Sequence, residues 1–70
     1  MTGRALVKTK RGRCYVGVAT LRDGAITMPD ARLRHVDVRG TRFYDPAERA
    51  WSRSEWAEVE WLGDREAVAA

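Results

Sequence analysis

Lys8, Lys10, Arg11 and Arg13 sit close together around Gly12, and Arg32, Arg34 and His35 form a second basic group further along the chain. Cations so spaced do not perform bond chemistry by themselves; they hold phosphates or carboxylates, arginine through a planar fork of donors. Arg32 and Arg34 are two apart. On a strand they share a face, with guanidinium groups about 7 Å apart at a rise of ~3.3 Å per residue. Asp30 or the glutamates of the C-terminal part could equally neutralise them. Cys14 and His35 have the residue types of a nucleophile–base pair. However, Cys14 alternates in register with Val16 and Val18, which predicts a small core residue instead. With one cysteine and one histidine the chain builds no zinc site without carboxylates or a second subunit. It also contains no glycine-rich phosphate loop. The expectation is therefore a non-enzymatic protein with no catalytic residue, no metal and no cofactor.

The elements that must position these cations read as strands. Asp23-Gly24 between β-prone runs predicts a type I′ hairpin turn, in which both central residues take positive φ. Arg11-Gly12 predicts another turn, so the Lys8–Arg13 cluster falls at a hairpin tip. Pro29-Asp30-Ala31 predicts a further turn, with the preceding strand stopping at Met28. In Arg13–Arg22, residues 14, 16, 18 and 20 share one face and residues 15, 17, 19 and 21 the other. Both faces are largely apolar, as in a strand covered on two sides, and Gly17 marks a bend or bulge. Asp45-Pro46-Ala47-Glu48 suits either a type I turn or a single helical turn. Residues 56–62 alternate as a strand does, although their glutamates and alanine leave a helix open. The sum is a mainly all-β domain over residues 1–64. It would be a small SH3-like or Sm-like antiparallel barrel of about five strands with a short helical turn near 46–55, followed by a disordered tail at 65–70.

The totals constrain function loosely. Seventy residues make one small domain, of a size that often gains stability by oligomerising. The net charge of +3 hides an asymmetry: residues 1–44 hold ten Lys and Arg against three Asp, whereas residues 45–70 hold three Arg against seven Asp and Glu. A basic body attracts anions, or meets an acidic tail of its own or of a neighbour. No apolar run reaches the ~18 residues of a membrane span. The lone cysteine and the missing leader-like segment suggest a cytoplasmic setting. Trp51, Trp56, Trp61 and Tyr44 are expected at a partner or oligomer interface.

Val7-x-Thr9, Gly12, Tyr15-Val-Gly17, Asp23-Gly24 and Asp30-Ala-Arg32 resemble a group of short uncharacterised proteins encoded by bacteriophages and prophages. The likeness covers about forty residues and implies a phage origin, with no activity or site residue attached. Together these features predict a binding module for an anionic ligand, either nucleic acid or a nucleotide signal of host defence. Lys8, Lys10, Arg11, Arg13, Arg32, Arg34 and His35 would hold the ligand, and the module is expected to be a homo-oligomer. The alternative is a protein–protein module (a virion or ring subunit, or an inhibitor of a host protein) that uses the acidic, Trp-rich half.

Overall fold

A computed structural model describes residues 1–63 as six antiparallel strands in one sheet. They are β1 (Thr2–Thr9), β2 (Cys14–Arg22), β3 (Ala25–Asp37), β4 (Gly40–Phe43), β5 (Ala47–Trp51) and β6 (Trp56–Trp61). The hydrogen-bonded order is β4-β3-β2-β1-β6, with β5 paired to the N-terminal half of β3. The mainly all-β expectation holds. The sheet is not a closed five-stranded barrel, because no ladder joins β5 to β6. Among the described residues there is no helix, so none stands at 46–55. Residues 47–51 form β5, and Ser52–Glu55 make a turn in which Glu55 N–H donates to the Ser52 carbonyl at 2.9 Å. The expected tail at 65–70 lies outside the described residues.

Two predicted turns form where glycine permits them. Asp23 and Gly24 have φ of 52° and 82°, and Gly12 has φ of 88°. The third does not form. Instead of turning at Pro29-Asp30-Ala31, β3 runs through it as a single strand of 13 residues. Its register shows why this is allowed. Between the pairs Val16↔Arg32 and Thr20↔Thr27, β3 has one residue more than β2. Between Met28↔Arg49 and Ala31↔Ala47, two residues of β3 oppose one of β5. Pro29 and Asp30 thus occupy a β-bulge, one of the few places in a sheet where a residue without an N–H is tolerated. The Asp30 carboxylate accepts a 3.1 Å bond from Val18 N–H and so replaces the ladder partner lost there. Gly17 makes room for the bulge. A Cβ at Gly17 would lie 2.8 Å from Asp30 Oδ1, 2.9 Å from Met28 Sδ and 3.0 Å from the Asp30 carbonyl.

Alternation then decides what is inside. Ala5, Val7 and Thr9 of β1 face inward with Tyr15, Gly17 and Ala19 of β2 and Ile26, Met28 and Ala31 of β3. Many of these are small, and the space they leave is filled by Trp51 from β5 and Trp56 from β6. The opposite face of β2, carrying Cys14, Val16 and Val18, is the outer one; Cys14 is half-buried there and is not in the core. Burying Ile26, Met28 and Val7 completely stabilises the fold by about 1.5–3 kcal/mol each, before entropy is counted.

The β5–β6 turn is tied to two hairpin tips of the sheet that folds over this core. Trp56 Nε1 donates to the Gly24 carbonyl at 2.8 Å, which links the β5–β6 turn to the tip of the β2–β3 hairpin. Arg53 stacks 4.0 Å above the Trp56 ring and donates from Nη1 to the Trp56 carbonyl at 2.9 Å. On the other side of the turn, Lys10 N–H donates to the Glu55 carbonyl at 3.0 Å.

Candidate anion-binding surface

The β1–β2 tip is built from its own backbone. Thr9 N–H donates to the Arg13 carbonyl at 2.8 Å, Gly12 N–H to the Thr9 carbonyl at 2.9 Å, and Arg13 N–H to the buried Thr9 hydroxyl at 3.2 Å. The positive φ at Gly12 closes this loop. Lys10, Arg11 and Arg13 project from it as exposed side chains. They border an open cleft of about 400 Å³ that is lined further by Tyr15, Trp51 and Ser54. Tyr15 and Trp51 meet at a ring-centroid distance of 5.0 Å and an interplanar angle of 46°.

One carboxylate faces the same cleft. Glu55 accepts bonds from Ser52 N–H at 2.8 Å and from the Ser52 hydroxyl at 3.0 Å. Those bonds, the backbone one first, hold its pKa below the usual carboxylate value, and the charge of Arg11 adds to the effect. Glu55 is thus a fixed negative charge among three positive ones. Lys10, Arg11 and Arg13 make no ion pair within 4 Å among the described residues.

The seven predicted anion-binding residues do not form one site. Lys10, Arg11 and Arg13 converge on the cleft. Lys8 points to the outer face of the sheet and lies 3.9 Å from Glu58. Arg32 and Arg34 do share a face, as their spacing requires, but it is this same outer face, opposite Val16 and Cys14. His35 stands on the exposed β3–β4 hairpin, 3.5 Å from the Asp37 carboxylate, which also lies 3.9 Å from Arg42. The four residues expected at a partner interface also divide. Trp51 and Trp56 are buried in the core and are not available to a partner; Trp61 is half-buried against that core, and Tyr44 is exposed. The physical reason lies in the many small side chains of β1–β3, which leave interior space that the rings fill.

Sequence reasoning missed Arg49, Tyr15 and Ser54. The Arg49 guanidinium sits 5.6 Å over the Tyr15 ring and borders a second depression, of about 300 Å³, that also contains Tyr15 and Tyr44. A signal was present: Arg49 is two residues from Trp51 and so shares its face on β5. Among the described residues no group of three or more His, Cys, Asp or Glu is placed to hold a metal ion, and no helix is long and apolar enough to cross a membrane. No family model matches the chain, and no curated protein or solved structure matches it.

Proposed function

We propose that this chain is a non-enzymatic module that binds an anionic ligand, nucleic acid or a nucleotide, at the cleft between the β1–β2 tip and the β5–β6 turn. One observation carries the reading. Three cations that make no ion pair within 4 Å among the described residues, Lys10, Arg11 and Arg13, surround a cleft floored by Tyr15 and Trp51, with Glu55 the carboxylate beside them. The cations suit the phosphates of such a ligand, while Tyr15 and Trp51, at 5% and 9% exposure, form the floor of the cleft and offer no free ring face. The resemblance of the first forty residues to phage-encoded proteins supports a setting in the cytoplasm of an infected bacterium, where both nucleic acid and nucleotide signals of host defence are ligands. The alternative, a docking module on the acidic, Trp-rich half, loses two anchors to the core, Trp51 and Trp56.

The test is a fluorescence-polarisation titration with a labelled single-stranded oligonucleotide, with cyclic dinucleotides as competitors. Binding should be tightest at low salt. For three phosphate contacts on a single strand, the log–log dependence on salt should have a slope of about −2. Failure of both probes to bind at low ionic strength would remove the proposal.

A further inference from the structure

The outer face of the sheet carries a pattern that the cleft does not use. Across the strands, one row reads Glu60 on β6, Leu6 on β1, Val16 on β2 and Arg32 on β3. The adjacent row reads Glu58, Lys8, Cys14 and Arg34, with Phe43 of β4 beyond. The face is therefore acidic along β6 and basic along β3; its middle carries Leu6, Val16, Cys14 and Val18 together with two β1 cations, Lys8, which lies 3.9 Å from Glu58, and Arg4, opposite Val18. Val18, also on this face, is 38% exposed and Phe43 is 53% exposed. Glu60 and Arg32 make no ion pair within 4 Å among the described residues, and Arg34 keeps a buried Nε without an acceptor. An open hollow of about 300 Å³ lies on this face between Val16, Arg32 and Phe43.

We infer that this face binds a second copy of the same chain across a two-fold axis. The axis runs parallel to the strands, between β1 and β2. Rotation about it exchanges the two ends of each row. Glu60 then faces the other copy's arginine at position 32 and Leu6 packs on Val16, while Glu58, already 3.9 Å from Lys8 of its own chain, faces the arginine at 34. An isologous contact requires such self-complementarity, since each position must suit its symmetry mate. The acid–apolar–base row Glu60-Leu6-Val16-Arg32 provides it. A partner of uniform charge would instead be repelled by one end. Four strands ~4.8 Å apart and about five residues deep give a footprint of roughly 300 Å² per copy, about 600 Å² in total, well below the roughly 1,200–2,000 Å² of a stable interface, so the association is weak and reversible. The tip cleft lies away from this face, so the pairing does not depend on the ligand proposed for it.

Sedimentation velocity over a concentration series tests the contact. A reversible monomer–dimer equilibrium is expected. Reversal of one end, Glu60→Arg or Arg32→Glu, should weaken it by about tenfold or more, because like charges then oppose. Combining both reversals in one chain should bring the dimer back at unchanged net charge. Both positions are exposed, so folding is not at stake, and circular dichroism checks it. Leu6→Asp should abolish association independently. A monomer at every concentration, a dimer indifferent to the single reversals, or a double reversal that does not rescue would each overturn the inference.

Discussion

Trp56 reaches across the molecule to Gly24: its indole N–H bonds the glycine carbonyl at 2.8 Å, 32 residues away in sequence. That bond fastens the edge strand β6 of an open sheet to the tip of the β2–β3 hairpin. Trp56→Phe keeps most of the buried ring but removes the donor and part of the packing. It should destabilise the fold by about 1–2 kcal/mol. Urea unfolding followed by circular dichroism measures this, and an unchanged midpoint would deny the tie its role.

Gly17 and the β3 bulge should be energetically coupled. Gly17→Ala pushes a methyl group into Asp30 and Met28 and should cost about 1–3 kcal/mol. Asp30→Ala removes the acceptor for Val18 N–H and should cost about 1 kcal/mol. The double variant should lose less than the sum, since one clashing atom is the Asp30 carboxylate oxygen. It should not recover fully, because the Asp30 backbone carbonyl remains 3.0 Å from the added carbon. A double-mutant cycle in urea reads both effects.

The Glu55 carboxylate should make stability depend on pH in the acid range. Its pKa in the folded chain is depressed below the ordinary carboxylate value of 4.5, chiefly by the Ser52 backbone N–H. The stabilisation is therefore present above the unfolded-state value and is lost as the pH falls through the folded one. Wild type should exceed Glu55→Gln in thermal midpoint near neutrality, and the gap should close on acidification below 4.5. The same variant should bind an anionic oligonucleotide more tightly, because it removes the negative charge from the cleft.

Charge removal should separate the two basic surfaces. Lys10→Ala or Arg13→Ala should weaken oligonucleotide binding and reduce the steepness of its salt dependence by about 0.7 per cation lost. Arg32→Ala should leave both unchanged, since Arg32 lies on the outer face. Equal losses at Arg13 and Arg32 would contradict the assignment to the tip.

Much of the strand framework was legible because local chemistry and the final fold agree. Asp23-Gly24 and Gly12 take the positive φ that their residue types favour. The alternation in residues 14–22 correctly sorted the two faces of β2, though not which of them was inside. That choice depends on β5 and β6, whose tryptophans cover only the side bearing Tyr15 and Ala19. Pro29-Asp30 misled for a related reason. Proline and aspartate favour a turn locally, but ladders to β2 and β5 on both sides hold the chain extended and absorb the misfit as a bulge. The basic cluster at 8–13 was visible as composition. Its division into Lys8 on one surface and Lys10, Arg11 and Arg13 on another required the Gly12 turn to be seen in place. Arg49 was overlooked because its partner Tyr15 lies on a strand far from it in sequence.

The β3–β4 hairpin extends past the interior: residues 35–43 are all exposed, and β4 pairs with β3 alone. A two-stranded ribbon with no apolar layer beneath it is only marginally stable. Its amide protons should therefore exchange with deuterium well before those of β1 and β2, through local opening that leaves the rest of the molecule intact. Sequence changes and insertions near Val38 should accordingly be tolerated at little thermodynamic penalty, making this arm the place to attach a label or a tag.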